Sequence, residues 1–290
     1  MVEDFAQITK RLKQQLMRSH IGQRFAAGYG RVLEPERWIF IIGCYNSGTT
    51  LLKDMLAEHP HIGVLAGEGV KFSDALPRPE DFGWQRMWCQ CLQQVRLDAI
   101  DTPRAARIKK QWSILYPASP NLVEKSIANA VQLPFLEAQF SPAYFVYIVR
   151  NGYAVAEGIR RKTTPGQRGN PIYKDQYPIE LCAKQWAESD RIVREDSEGV
   201  ERLVRVTYED FAGNPAATLK QITDFIGIEP LRDELFGRQW MVHGVESTIR
   251  NMNEQSFARL SGEDVDKIYA VAGGQLAANG YERPRVGGNA

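Results

Sequence analysis

The run Trp38-Ile39-Phe40-Ile41-Ile42 constrains this chain more than any other stretch. Five consecutive apolar residues, every one β-branched or aromatic, read as a strand buried on both faces of a sheet. That selects an α/β architecture, with a mostly parallel central sheet covered by helices on both sides. Residues 43–48, Gly-Cys-Tyr-Asn-Ser-Gly, are small and polar enough for a tight loop. Beyond them Leu51, Leu52, Met55 and Leu56 recur at helical spacing, so Thr49-Thr50 opens a helix. Strand, glycine-bearing loop and helix in that order aim backbone N–H groups and the positive end of a helix dipole at one point. Such a point suits an anion, phosphate above all.

Composition sets the frame for that site. With 290 residues, 43% of them hydrophobic, the chain can form one large α/β domain with a sizeable core. Its net charge of +1 gives no reason to expect nucleic acid or an anionic membrane as partner, so any anion site is local. Cys44, Cys89, Cys91 and Cys182 lack the spacing of a zinc site and read as reduced core thiols. The first residues lack the apolar core of a signal peptide, and no stretch approaches the ~20 apolar residues of a membrane span. A cytoplasmic protein without a membrane anchor is expected. Phe5, Ile8, Leu12 and Leu16 recur at helical spacing and predict a surface helix over residues 4–19, docked by its apolar face. The expected organisation is a single domain over residues 1–290, with a helical extension at 1–30 and a frayed tail at 280–290.

The loop at 43–50 is not that of an ATPase, because Thr49 stands where the G-x-x-x-x-G-K-[ST] signature needs lysine. It resembles instead the pattern G-x-x-[RK]-S-G-T-T-L-L, the 5′-phosphosulfate loop of sulfotransferases that use 3′-phosphoadenosine 5′-phosphosulfate (PAPS). Gly43, Ser47, Gly48, Thr49, Thr50, Leu51 and Leu52 match; Asn46 stands where the family has Arg or Lys. The resemblance makes residues 46–50 the seat of the phosphosulfate. It implies a three-layer, P-loop-like α/β fold.

Further matches follow in order. After His59-Pro60 a short strand over 62–65 should return to the sheet, parallel to the first, and place Glu68 at the mouth of the anion site. In several sulfotransferase branches a Glu shortly after the His-Pro pair is the general base, although the catalytic position in some is offset by one, onto Gly69 here. His61 is the second choice, and His59 reads as a packing histidine. Residues 71–120 carry a proline-broken loop and then Trp84, Met87, Trp88, Leu92 and Val95 at helical spacing, either ordinary core or an acceptor pocket. Lys71 is a candidate for the charge missing at Asn46. Glu124-Lys125-Ser126, after a short apolar run, resembles the E-K-[ST] segment of bacterial and Golgi-type sulfotransferases, in which Lys125 would stabilise charge on the transferred group.

The second anchor is the strand over 144–149, ending in Arg150-Asn151-Gly152. It resembles the family's 3′-phosphate motif, Arg-Asp-[PG] with a Ser eight residues after the Arg. Arg150 matches and can hold a phosphate bidentately; Asn151 replaces the Asp, and Gly158 stands at the serine's place. Residues 163–178 form a polar loop, a connection or a lid. Thr207-Tyr208-Glu209-Asp210-Phe211 resembles the segment whose tyrosine lies against adenine, and Arg250 in a late loop is a further candidate for the 3′-phosphate. The resemblance therefore implies transfer of the sulfuryl group from PAPS to a hydroxyl or amine of a small-molecule, glycan or lipid acceptor, with adenosine 3′,5′-bisphosphate (PAP) as product and no metal. The alternatives are a small-molecule kinase using ATP, or a nucleotide-binding protein that has lost catalysis, which the departures at Asn46 and Gly158 favour.

Overall fold

The protein is described here from a computed structural model covering residues 5–242 and 245–285. The apolar run is β1 (Arg37–Ile42), the middle strand of five. Its side chains alternate as the pleat requires: Trp38, Phe40 and Ile42 enter one apolar cluster, Ile39 and Ile41 the other, and none is reached by solvent. With β2 (Ile62–Val64), β3 (Asn121–Glu124), β4 (Ala143–Val149) and β5 (Leu203–Thr207) it forms a sheet of order β2-β3-β1-β4-β5. Every pairing in it is parallel, with Trp38 opposite both Leu122 and Ala143. The strand expected after Pro60 is therefore parallel to β1, with β3 between them. A separate antiparallel pair joins β6 (Trp240–Val242) to β7 (Val245–Ser247).

The helices are α1 (Phe5–Met17), α2 (His20–Tyr29), α3 (Thr49–Leu56), α4 (Leu92–Val95), α5 (Thr102–Ser113) and α6 (Leu133–Gln139). After them come α7 (Gly152–Arg161), α8 (Ile179–Asp196), α9 (Tyr208–Gly213), α10 (Pro215–Ile226), α11 (Asn253–Phe257) and α12 (Gly262–Ala278). Leu52, Met55 and Leu56 of α3 and Leu219, Ile222 and Ile226 of α10 bury Ile39, Ile41, Val146 and Ile148 on one face. On the other face Trp112, Phe135, Val155 and Trp186, from α5 to α8, bury Trp38, Phe40 and Phe145. Phe140 stands edge-on to both Trp38 and Phe40, at 5.0 and 5.5 Å, the geometry aromatic quadrupoles prefer. The three-layer architecture that the resemblance implies is the one observed.

Two local expectations need correction. The N-terminal helix does not run through residue 19 or dock by its leucines. The chain breaks at Ser19, which caps α2 by accepting from the Gly22 amide, and Leu12 and Leu16 remain 61% and 54% exposed. Contact with the domain is set by Met17 and α2: Gln23 donates to Met17 O and Lys71 O, and Gln111 of α5 donates to Gln23 O. This polar clasp decides which way the pair faces; the side chains of Phe5 and Ile8 lie outside the described residues. The spacing of Trp84 to Val95 does not mark a continuous helix. Single turns at Pro79–Phe82 and Trp88–Gln90 and the short α4 are separated by breaks, one at Gly83 with φ 77°, while Met87, Trp88 and Val95 point into the core. The polar loop at 163–178 is folded onto residues 83–85, through Thr164 N to Gln85 Oε1 at 2.8 Å and Asn170 Nδ2 to Gly83 O at 2.8 Å. Of the frayed tail, residues 286–290 lie outside the described residues.

Candidate functional site

The segments leaving the C-terminal ends of β1, β2, β3 and β4 converge on one cavity of about 1080 Å³. Open parallel sheets bind ligands at this end, where the connections change direction. Asn46, Gly48, Thr49, Thr50, Glu68, Lys125, Arg150, Gly158, Tyr208 and Arg250 all line it. Ser47 does not. It is 1% exposed, and its hydroxyl has no hydrogen-bond partner among the described residues.

The loop's shape depends on Gly48. Its φ is 90°, and a Cβ there would stand 2.9 Å from Tyr208 Cδ2, so both the backbone and the packing require glycine. Gly48 caps α3 without a side chain, leaving first-turn amides of α3 without helical acceptors beside the cavity. Tyr208 is 6% exposed and fastens the late loop: its hydroxyl donates to Arg250 O at 3.2 Å and accepts from Met252 N at 3.1 Å. Over its ring, 4.2 Å from the centroid, lies the Arg150 guanidinium. Arg150 also donates from Nη1 to Asn46 O at 2.7 Å and from Nε to Asn253 Oδ1 at 2.8 Å. Burial pulls its pKa below the ordinary arginine value, but a guanidinium stays charged. Glu209 holds this corner, accepting from Asn253 Nδ2 at 2.6 Å and from Asn151 N at 3.0 Å. Asn151 itself caps α7 by accepting from Tyr153 N at 3.0 Å.

Glu68 and Lys125 face each other across the cavity floor, 2.7 Å apart, with Lys71 3.4 Å from the second Glu68 oxygen. Burial alone would raise the Glu68 pKa; the two ammonium groups outweigh it and hold the carboxyl below its usual range. Lys71 is thus paired with Glu68, and it lines the same cavity as Asn46. Glu124, one residue before Lys125, is turned inward. It accepts from Gly69 N at 2.7 Å, from Ser126 Oγ at 2.6 Å and from Asn129 Nδ2, and burial pushes its pKa up. The turn carrying Glu68 is thereby moored to the end of β3. His59 and His61 do not line the cavity. The His59 ring takes Glu229 O and the His61 amide as partners, and burial lowers its pKa, as for a packing histidine.

Sequence reasoning missed Arg86, which donates from Nη1 to Asn46 Oδ1 at 3.2 Å; of the basic residues at 160–162, which the sequence offers as compensation for the serine missing at Gly158, Arg161 and Lys162 line the cavity. It also missed the supporting pair Glu209 and Asn253. The quoted Tyr-Glu-Asp segment contained one of them; no pattern pointed to Arg86. Trp84 and Trp88 of that region serve the core, while Arg78, Glu80, Asp81, Gln85 and Arg86 face the cavity. Among the described residues no cluster could hold a metal ion, and no helix is long and apolar enough to cross a membrane.

Fold and loop together define the class. The chain belongs to the sulfotransferase family, the enzymes that draw on PAPS as sulfuryl donor, and the family's model matches residues 38–233. It is 25% identical over 240 residues to protein-tyrosine sulfotransferase A of Caenorhabditis elegans, across 79% of this chain and 58% of that one. The chain thus spans less than two thirds of that relative's length. The sulfotransferase domain from the curacin biosynthetic pathway superposes with a TM-score of 0.52 at 24% identity, over 85% of this chain and 98% of its own. Sulfotransferase STF9 from Mycobacterium avium gives 0.56 at 13% identity, over 93% and 83%. At these identities the likeness establishes the fold.

Proposed function

We propose that the cavity holds PAPS across the strand ends and passes its sulfuryl group to a hydroxyl or amine of an acceptor. The observation that carries this reading is the contact of the two anion-binding segments, Arg150 Nη1 meeting Asn46 O at 2.7 Å, in the cavity that also contains Glu68 and Lys125. A single nucleotide can then span both, its phosphosulfate against the backbone amides and hydroxyls of the loop at residues 46–50 and its 3′-phosphate against Arg150, with Arg250 beside it and the adenine near Tyr208. Glu68 takes the proton of the acceptor hydroxyl as its oxygen attacks sulfur. The bond from sulfur to the bridging oxygen breaks in line, and its electron pair leaves with PAP. Lys125 and the loop amides stabilise the charge that builds on that oxygen. In the free protein Lys125 is bonded to Glu68. Drawing Lys125 toward the donor removes one of the charges that depress the Glu68 pKa, which brings the base nearer its task.

Among acceptors a phenolic hydroxyl comes first, since the relative at 25% identity is named for tyrosine; small alcohols, glycans and lipids follow. Cytoplasmic residence belongs to the same proposal and is supported by the free thiols, with Cys44, Cys89 and Cys91 pushed up to about 12 by burial. The test is incubation with radiolabelled PAPS and a panel of phenols, alcohols and amines, following label transfer and PAP release, with ATP as control donor. Transfer supports the reading. Binding without turnover on any acceptor would indicate a protein that has lost catalysis, and turnover of ATP a kinase.

A further inference from the structure

Two of the positions that depart from the sulfotransferase pattern, Asn46 and Gly158, touch each other. A Cβ on Gly158 would stand 3.0 Å from Asn46 Nδ2 and 3.1 Å from Asn46 Cγ. The Asn46 amide therefore occupies the space beside which a serine at 158 would project. Asn46 reaches it from a left-handed backbone, φ 62°, which asparagine tolerates better than lysine or arginine. Its orientation is fixed chemically: Oδ1 accepts from Arg86 Nη1 at 3.2 Å, and a guanidinium can only donate. Nδ2 is consequently the end turned to Gly158. It is buried and has no hydrogen-bond partner among the described residues, although such donors are ordinarily satisfied.

Positive charge surrounds this donor. Arg86 also has a left-handed backbone, φ 54°, and its guanidinium lies over Tyr45, 5.8 Å from the ring centroid. Lys162 is lowered to about 8, by burial first and then by Arg86, Arg161 and Arg150. The carboxylate facing this group, Glu157, is held by Arg161 at 2.7 Å. A dianion fits such a place.

We propose that Asn46 and Arg86 complete the 3′-phosphate subsite in this chain. Asn46 Nδ2 donates to a phosphate oxygen in place of the serine hydroxyl, and Arg86 holds the amide in that orientation while restoring the charge absent from position 46. Gly158 is the partner change that makes room. Arg86 is a positioning residue for Asn46, recruited from a segment without any family motif. This inference rests on the cavity being a PAPS site.

Calorimetric titration with PAP and with adenosine 5′-monophosphate separates the two ideas. Wild type should favour PAP. Arg86→Gln and Asn46→Asp should each lower PAP affinity about 10–100-fold, the range of a charge-assisted hydrogen bond, and Arg86→Gln should leave the monophosphate within about twofold. Arg86→Lys should recover part of the PAP preference. If the variants keep the wild-type preference, or Arg86→Gln loses both ligands equally, the subsite assignment is overturned while the PAPS reading stands. If wild type itself does not distinguish the two nucleotides, the PAPS reading falls and takes the assignment with it. The unchanged monophosphate affinity of Arg86→Gln is the control for folding.

Discussion

One wall of the cavity is made of strand ends. Asn46–Thr50 follow β1, Glu68 follows β2, Lys125 comes directly after the last residue of β3, and Arg150 directly after the last residue of β4. The facing wall is made of short helical turns and the connections between them, with Arg78 to Arg86, Arg161 to Arg168 and Arg250 to Arg259 contributing mostly charged side chains. In the first wall the sheet's hydrogen bonds fix each residue, so local sequence and place in the fold are coupled. In the second, contacts distant along the chain do the fixing, such as Arg86 to Asn46 and Asn170 to Gly83. The difference teaches where to look for chemistry and where for adaptation: in the proposed function the strand-end wall carries the reaction, and the outer wall tunes what the first can hold.

The largest effect expected from the strand-end wall is on turnover. Glu68→Gln should lower kcat by roughly 10²–10⁴, the usual contribution of a general base, with PAP affinity preserved. An unchanged rate would remove Glu68 from the mechanism and shift attention to the outer wall. Next comes Gly48→Ala, where the left-handed backbone and the approach of Tyr208 both oppose a methyl group. Denaturant unfolding should show a loss of about 1–3 kcal/mol, together with weaker donor binding. A wild-type midpoint would mean that this wall is less rigid than its geometry indicates.

The smallest effect probes the outer wall. Lys162 is held down to about 8 by burial and by Arg86, Arg161 and Arg150, with Glu157 opposing them. A bound phosphate, like Glu157, favours the charged amine and returns it toward its ordinary value of about 10.4. Binding of PAP should therefore take up protons between about pH 8 and pH 10 and almost none from Lys162 at pH 6, where the amine is already charged. Calorimetry in buffers of different ionisation enthalpy measures this directly. No uptake in that window would place Lys162 away from the bound anion.

What could be read from the sequence divides along the same line. The run at β1, the glycine loop and Arg150 after its strand were all legible, because each depends on neighbours in the chain. Arg86 was not legible, since its place follows from a broken backbone whose apolar residues report core contacts instead of a helix. Glu209 and Asn253 escaped for a related reason: their partnership spans 44 positions. The direction of the Leu12–Leu16 face was likewise decided elsewhere, by the clasp among Met17, Gln23 and Gln111.

The inward carboxylate of Glu124 has one more consequence. Because it grips the amide of Gly69, the neighbour of the proposed base, Glu68 takes its coordinates from the interior of the sheet. The mouth beyond residue 71 can then be exchanged, lengthened or recoloured with other charges while the proton acceptor stays where it is. A transferase built this way has a fixed engine and a replaceable inlet, and new acceptors are reached by editing the inlet.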